Sequence, residues 1–255
     1  AEGEALFDGV DLCKLSEKEL DRIRGKDIGM VFQDALTALN PVFTVESQIT
    51  EQIRTHLGLG RAEAREKTLK LLEEAGIPDP AGAMKKYPHE LSGGQRQRVM
   101  IAMALSCGPR LLIADEPTTA LDVTIQAQIM ELISRLRKKS RMSMILITHD
   151  IGLIAQMADR VAVMYAGQII EEAGVHELFK NPLHPYTRAL LQSAPSIEDG
   201  DERVLKAIRG AVPEDYTDIE GCRFADRCEC AGSGCELRQE FQQREEGHFV
   251  RCHLA

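Results

Sequence analysis

Residues 91–95 read Leu-Ser-Gly-Gly-Gln and run directly into Arg96-Gln97-Arg98; downstream, residues 111–116 read Leu-Leu-Ile-Ala-Asp-Glu. Two glycines at the start of a helical pattern let backbone N–H groups approach an anion closely, and the helix N-terminus adds partial positive charge. The Ser92 hydroxyl adds a donor. The second stretch is a short apolar run that closes on two carboxylates, the pattern of a central parallel strand buried on both faces. Acids at such a strand's carboxyl end lie where open α/β sheets take ligands. Asp115 suits a hard cation, which prefers oxygen, and Glu116, the next residue, points elsewhere and can polarise a water.

Working outward, Thr148-His149-Asp150 closes a second apolar run, Met144–Ile147, in the same way. His149 is placed to meet a phosphate, while Asp150 is a candidate helix cap. Gln33 follows a short strand at residues 28–32 and can reach a metal or a water. Asp122 lies between the paired acids and a helical pattern at 123–137, where it serves as an N-cap or as part of the site. Helical patterns also cover 16–23, 45–56, 62–75, 94–106 and 151–158, with a loop at 34–41 and a break at Pro78, Pro80 and Gly82. A strand is expected at 4–9, and a hairpin at 161–170 turning at Ala166-Gly167. Strand–helix alternation predicts an α/β fold with a largely parallel sheet, an inserted helical subdomain at about 45–107 and a small cysteine-rich tail.

The 255 residues suffice for a sizeable core, and 44% hydrophobic with 28% charged content is that of a soluble globular chain. A net charge of −9 and a pI near 5.4 argue against a nucleic-acid-coating protein. Val99–Leu105 is the longest strongly apolar run and too short to cross a bilayer; no leader is visible. Membrane attachment is therefore expected through a protein partner.

After residue 180 a proline-punctuated connector, Asn181–Tyr186, leads into a short helix to about Ser193, then a polar linker at 196–218. Five of the seven cysteines follow: Cys222, Cys228, Cys230, Cys235 and Cys252. Without a leader, a metal site is favoured over disulfides. The spacings match neither zinc knuckles nor ferredoxin runs, yet four thiolates can hold a [4Fe–4S] cluster or Zn²⁺. Cys230, His248 and His253 compete as ligands, and Cys13 and Cys107 are read as buried packing.

Taken together, Leu91–Gln95, Leu111–Glu116, Asp122, His149 and Gln33 resemble the signature, Walker B, D-loop, switch histidine and Q-loop of the ATP-binding-cassette (ABC) ATPases, over nearly the whole chain. The resemblance implies a P-loop NTPase-type fold and two such domains facing head to tail around ATP and Mg²⁺. It implies that Asp115 and Gln33 serve Mg²⁺, Glu116 is the general base and His149 contacts the γ-phosphate. It also implies that Ser92, Gly93, Gly94 and Gln95 grip the partner cassette's nucleotide, with Asp122 beside them. Phe32-Gln33-Asp34, Leu39-Asn40-Pro41, His184–Thr187 and Gly221-Cys222-Arg223-Phe224 are similar to the dipeptide/oligopeptide and nickel importer branch, although Ala35 replaces the branch's usual proline. That branch implies a cassette at 1–180 and an extension at 181–255. Cys222, Cys228, Cys235 and Cys252 would hold a [4Fe–4S] cluster, with Zn²⁺ as the alternative. The implied partners are a second ATPase subunit, two transmembrane permeases and, indirectly, an extracytoplasmic peptide-binding protein, with the chain peripheral on the cytoplasmic face of the membrane and no nucleic acid.

The phosphate loop G-x-x-x-x-G-K-[ST] does not occur in these residues. Gly25-Lys26 mimics its end, but Leu20 stands where its first glycine would be and Asp27 replaces the hydroxyl residue. The family carries that loop upstream of the segment that begins here. The chain is therefore expected to be a fragment that hydrolyses ATP negligibly alone, a natural truncation being the alternative. Two other classes compete with the importer reading. A soluble cassette ATPase of DNA repair or translation is opposed by the acidic balance, and a non-catalytic assembly module requires the loop to be absent from the gene.

Overall fold

The computed structural model describes residues 3–119, 121–193, 208–213 and 215–255, with no side-chain description for residue 36. It divides into two compact units, residues 1–149 and 150–255. The expected boundary at about residue 180 falls within the second unit, and residues 196–207 of the expected linker lie outside the described residues.

The first unit opens with a small antiparallel pair, β1 (Leu6–Phe7) and β2 (Val10–Asp11), then α1 (Glu17–Ile23). Ser16 and Glu19 close a capping box over α1, with Ser16 N donating to Glu19 Oε2 at 2.9 Å. β3 (Ile28–Val31) enters the main sheet. Four residues of the expected loop at 34–41 form a short helix, α2 (Ala35–Ala38). Next come α3 (Val45–Leu57), α4 (Arg61–Glu74) and α5 (Pro80–Met84), which pack on one another and lead to α6 (Gly93–Ala104). Val45, Ile49 and Ile53 recur at helical spacing on α3, and Ala64, Thr68 and Leu72 do so on α4; all six are buried. Thr44 caps α3, and Gly58 ends it in the left-handed region at φ 67°. The proline break opens α5, because Pro80 tolerates the first helical turn and Asp79 caps it.

β4 (Leu111–Asp115), α7 (Val123–Ser140) and β5 (Ser143–Ile147) complete this unit. The sheet runs β3-β4-β5, all parallel, with Val31 opposite Ala114 and Asp115 opposite Ile147. α6 is buried nearly all round and abuts β3, where a Cβ on Gly29 would lie 2.5 Å from the Ala104 carbonyl oxygen. Burial on both sheet faces does not hold. Val31, Leu112 and Ala114 are fully buried on one face, whereas Met30, Ile145 and Ile147 on the other are 37%, 50% and 47% exposed.

The second unit begins with α8 (Ile151–Met157), capped by Asp150, and the hairpin β6 (Arg160–Tyr165) and β7 (Gln168–Gly174). Ala166 and Gly167 both take positive φ, 45° and 77°, the backbone of a type I′ turn. α9 (Val175–Lys180) and α10 (Pro185–Ser193) follow. The tail returns as β8 (Gln242–Glu245) and β9 (His248–Val250), giving a four-stranded sheet in the order β6-β7-β9-β8. Val163, Tyr165, Ile170, Ala173, Leu178 and Phe224 form the core here, so the tail packs on the hairpin. Tyr165, Tyr186 and Phe224 meet at centroid distances of 4.7–5.3 Å. Cys13 is exposed and Cys107 half-buried, which corrects the expectation of buried packing for Cys13.

Candidate functional site at the carboxyl edge of the parallel sheet

β3, β4 and β5 end side by side, and each hands its next residues to one place. Gln33 Nε2 donates to Glu116 Oε2 at 2.9 Å. The hydroxyl of Thr119 donates to the same oxygen at 2.8 Å, and His149 Nδ1 lies 3.1 Å from Glu116 Oε1. The sheet thus brings together Gln33, Glu116 and His149, and adds Thr119, which the sequence reading passed over. Its signal was a hydroxyl residue three positions after an acid in a turn-forming stretch.

Glu116 is turned into this position by its backbone. Its N–H donates to the Ile147 carbonyl at 2.9 Å, and its φ of 42° lies in the left-handed region that non-glycine residues avoid. Strain of this kind concentrates at functional positions. The Thr119 hydroxyl first, and then the His149 ring, hold the Glu116 carboxyl below the usual carboxylate range, so it stays ionised near neutral pH. Asp115, the last residue of β4, is half-buried and meets no hydrogen-bond donor among the described residues. A half-buried carboxylate beside a second one fits a divalent cation.

Ser92 caps α6. Its Oγ accepts from Gln95 N at 3.3 Å, and Gln95 Oε1 accepts from Ser92 N at 3.2 Å. This closed box leaves the Ser92 hydroxyl hydrogen free to donate. Helix geometry leaves the Gly93 and Gly94 N–H groups without intrahelical acceptors. A Cβ on Gly94 would lie 3.2 Å from the Ile125 side chain, so glycine lets α7 sit close against this turn. Asp122 caps α7 by accepting from Ile125 N at 2.9 Å. Inside α6, buried Gln97 donates to the Pro117 carbonyl, and Gln126 of α7 donates to the Thr118 carbonyl at 3.1 Å. The loop after Glu116 is therefore fastened to both helices by side chains that the sequence reading did not single out.

In the second unit the thiols of Cys222, Cys228, Cys235 and Cys252 act on one another electrostatically. Burial is the largest cause of the upward push on Cys222, Cys228 and Cys252, and the facing thiols add to it. Gly221 makes the approach possible: a Cβ there would lie 2.4 Å from the Cys235 carbonyl oxygen, to which Cys222 N donates at 2.8 Å. Cys230 is exposed. His248 is fully buried against Glu171 at 2.8 Å, away from the role of competing thiol-site ligand.

A family profile described as "ABC transporter" matches residues 1–119, and one described as "Oligopeptide/dipeptide transporter, C-terminal region" matches residues 170–235. The chain is 49% identical over 247 residues to the dipeptide transport ATP-binding protein DppD of Haemophilus influenzae, covering 97% of this chain and 74% of that protein. It is 50% identical over 258 residues to the oligopeptide transport ATP-binding protein OppD of Bacillus subtilis, covering 99% and 71%. Among solved structures, a post-hydrolysis dimer of the ATP-binding cassette MJ0796 with ADP and Pi aligns at TM-score 0.61 and 31% identity, over 68% of this chain and 74% of that one. The cassette cbiO1 of Clostridium perfringens, part of the transporter complex cbiONQ, aligns at 0.60 and 32%, over 71% and 69%.

Proposed function

Because this chain belongs to the ATP-binding subunits of ABC transporters, with an oligopeptide/dipeptide-type C-terminal region, we propose that it is the energy-coupling ATPase subunit of a peptide importer. The observation that carries the reading is the meeting of Gln33, Glu116 and His149 at one sheet edge. Glu116 orients an attacking water and takes its proton, and His149 contacts the γ-phosphate. Two of the three partners of Glu116 fall on Oε2 and His149 alone falls on Oε1, so Oε1 keeps an acceptor site for a water. Mg²⁺, when bound, neutralises charge on the phosphates, and Asp115 and Gln33 are the residues that would hold it. Ser92, Gly93, Gly94 and Gln95 offer hydroxyl and backbone donors to the nucleotide of a second cassette, with Asp122 beside them.

On this reading the cassette covers residues 1–180 and the extension 181–255. Among the described residues no helix is long and apolar enough to cross a membrane. The proposal places the chain at the cytoplasmic face, bound to two permease subunits. Their docking surface is the helical subdomain together with the loop that leads into it, where Val42 and Phe43 are 70% and 48% exposed. Gln48 braces that loop by donating to the Asn40 and Phe43 carbonyls, each at 3.0 Å. Co-expression with the permeases should yield a complex that takes up peptide at the expense of ATP. A chain that neither co-purifies with them nor supports uptake refutes the assignment.

Cys222, Cys228, Cys235 and Cys252 fit a cationic centre, since mutually facing thiolates ionise together only around positive charge. Zn²⁺ with Zn–S bonds of about 2.3 Å would draw sulfurs to roughly 4 Å apart. A [4Fe–4S] cluster, which spaces its four thiolates more widely than a single ion does, is the reading preferred here, with Zn²⁺ as the alternative. Anaerobically purified protein should show visible sulfur-to-iron charge transfer; a colourless, zinc-only sample excludes the cluster.

A further inference from the structure

Away from both sites, the second unit holds a third group of ligand-type side chains. Ligand atoms of Glu177 on α9, Glu245 on β8 and His248 on β9 all lie within 4.8 Å of one another. Two exposed or half-buried acids near each other are ordinary; the histidine is not. His248 is fully buried, its Nε2 is 2.8 Å from Glu171 Oε1, and its Nδ1 is buried with no hydrogen-bond partner.

Glu171, fully buried on β7, fixes which nitrogen bears the hydrogen. It accepts from Leu183 N at 2.6 Å and His184 N at 2.9 Å, so it accepts from His248 Nε2–H as well. In the tautomer with its hydrogen on Nε2, the ring presents its lone pair at Nδ1. A buried lone pair without a donor is unfavourable, and a cation satisfies it. A carboxylate on one ring nitrogen with the other aimed at a metal is the usual outer-shell arrangement of a metal-ligating histidine. One neutral imidazole with two carboxylates also balances a divalent charge. The imidazole selects a transition ion over Ca²⁺ or Mg²⁺. Glu245 is exposed, which leaves an entry path, and Asn181 Nδ2 lies 3.5 Å from its Oε1.

We propose that Glu177, Glu245 and His248 form a divalent transition-metal site of the Zn²⁺ type, oriented by Glu171 and separate from the cysteines. The three ligands come from three different elements and the orienting acid from a fourth, so the ion clasps the returning tail onto the β6–β7 hairpin. Its role is structural, and it stands independently of the transport reading.

Co²⁺ is the probe, added to the chelator-treated full chain. About one equivalent should bind with ligand-field bands and without sulfur-to-cobalt charge transfer, and that component should persist in Cys252→Ser. Glu245→Gln alters an exposed side chain and leaves the fold intact. It should weaken that component about ten-fold or more, and Glu177→Gln should do the same. Failure to bind Co²⁺, charge transfer in all bound Co²⁺, or unchanged affinity in both glutamine variants overturns the site.

Discussion

Glu116 shows how much one residue's surroundings decide. Its neighbour Asp115 has the same chemistry, yet only Glu116 leaves the strand through a left-handed backbone and meets Gln33, Thr119 and His149. That difference is electrostatic preorganisation: donors already aimed at a carboxylate keep it charged. His184 shows the opposite case. Burial is the main cause that brings its pKa down from 6.5 to about 4, with Glu171 opposing and Arg188 assisting. The unfolded chain takes up a proton near 6.5 and the folded chain only near 4. The stability this histidine contributes is therefore fully present above 6.5 and is lost as pH falls from 6.5 towards 4, by about 3 kcal/mol in all. Urea unfolding followed by tyrosine fluorescence should show that loss. His184→Asn keeps an acceptor for the Tyr186 N–H, a bond of 3.0 Å here, and should flatten the pH dependence. An unchanged slope in the variant contradicts the assignment. The acids and His149 were legible as residues because they close apolar runs. Thr119 and Gln97 were not, since their partners exist only once the chain has turned.

At the scale of elements, local signals carried furthest where they were self-contained. Ser92 and Gln95 form a reciprocal cap within four residues, and Ala166-Gly167 sets its turn alone. The helices of the 45–107 stretch followed from apolar spacing at one helical period. β8 escaped because every residue of Gln242–Glu245 is exposed, so its strand state rests on backbone pairing with β9 rather than on any alternating pattern. α5 and α9 are too short for periodicity to show. The open face of the parallel sheet is a further departure: apolar runs at β4 and β5 read as buried on both sides, yet Ile145 and Ile147 face outward among the described residues. A run's composition reports what it is able to bury, not what lies over it in a given stretch of chain. The glycines of the tail belong to the same scale. Gly221 is required by a neighbouring carbonyl fourteen residues away in sequence, at Cys235, and nothing local announces it.

At the scale of the whole molecule, the chain spans about three quarters of the length of its relatives in Haemophilus influenzae and Bacillus subtilis. The parallel-sheet edge and the α6 turn lie in the first unit, and the five cysteines from Cys222 onward and the proposed metal clasp lie in the second. On the proposed reading, ATP chemistry belongs to the first unit, and both proposed metal centres belong to the second. The account stands on the carboxylate of Glu116 activating water. The most direct measurement is Mg²⁺-ATP turnover by the assembled transport complex carrying Glu116→Gln in this chain, with ATP binding measured alongside. Removal of a general base is expected to lower turnover about 100-fold or more, with ATP affinity nearly unchanged. Turnover within about two-fold of the unsubstituted complex would contradict the role given to Glu116.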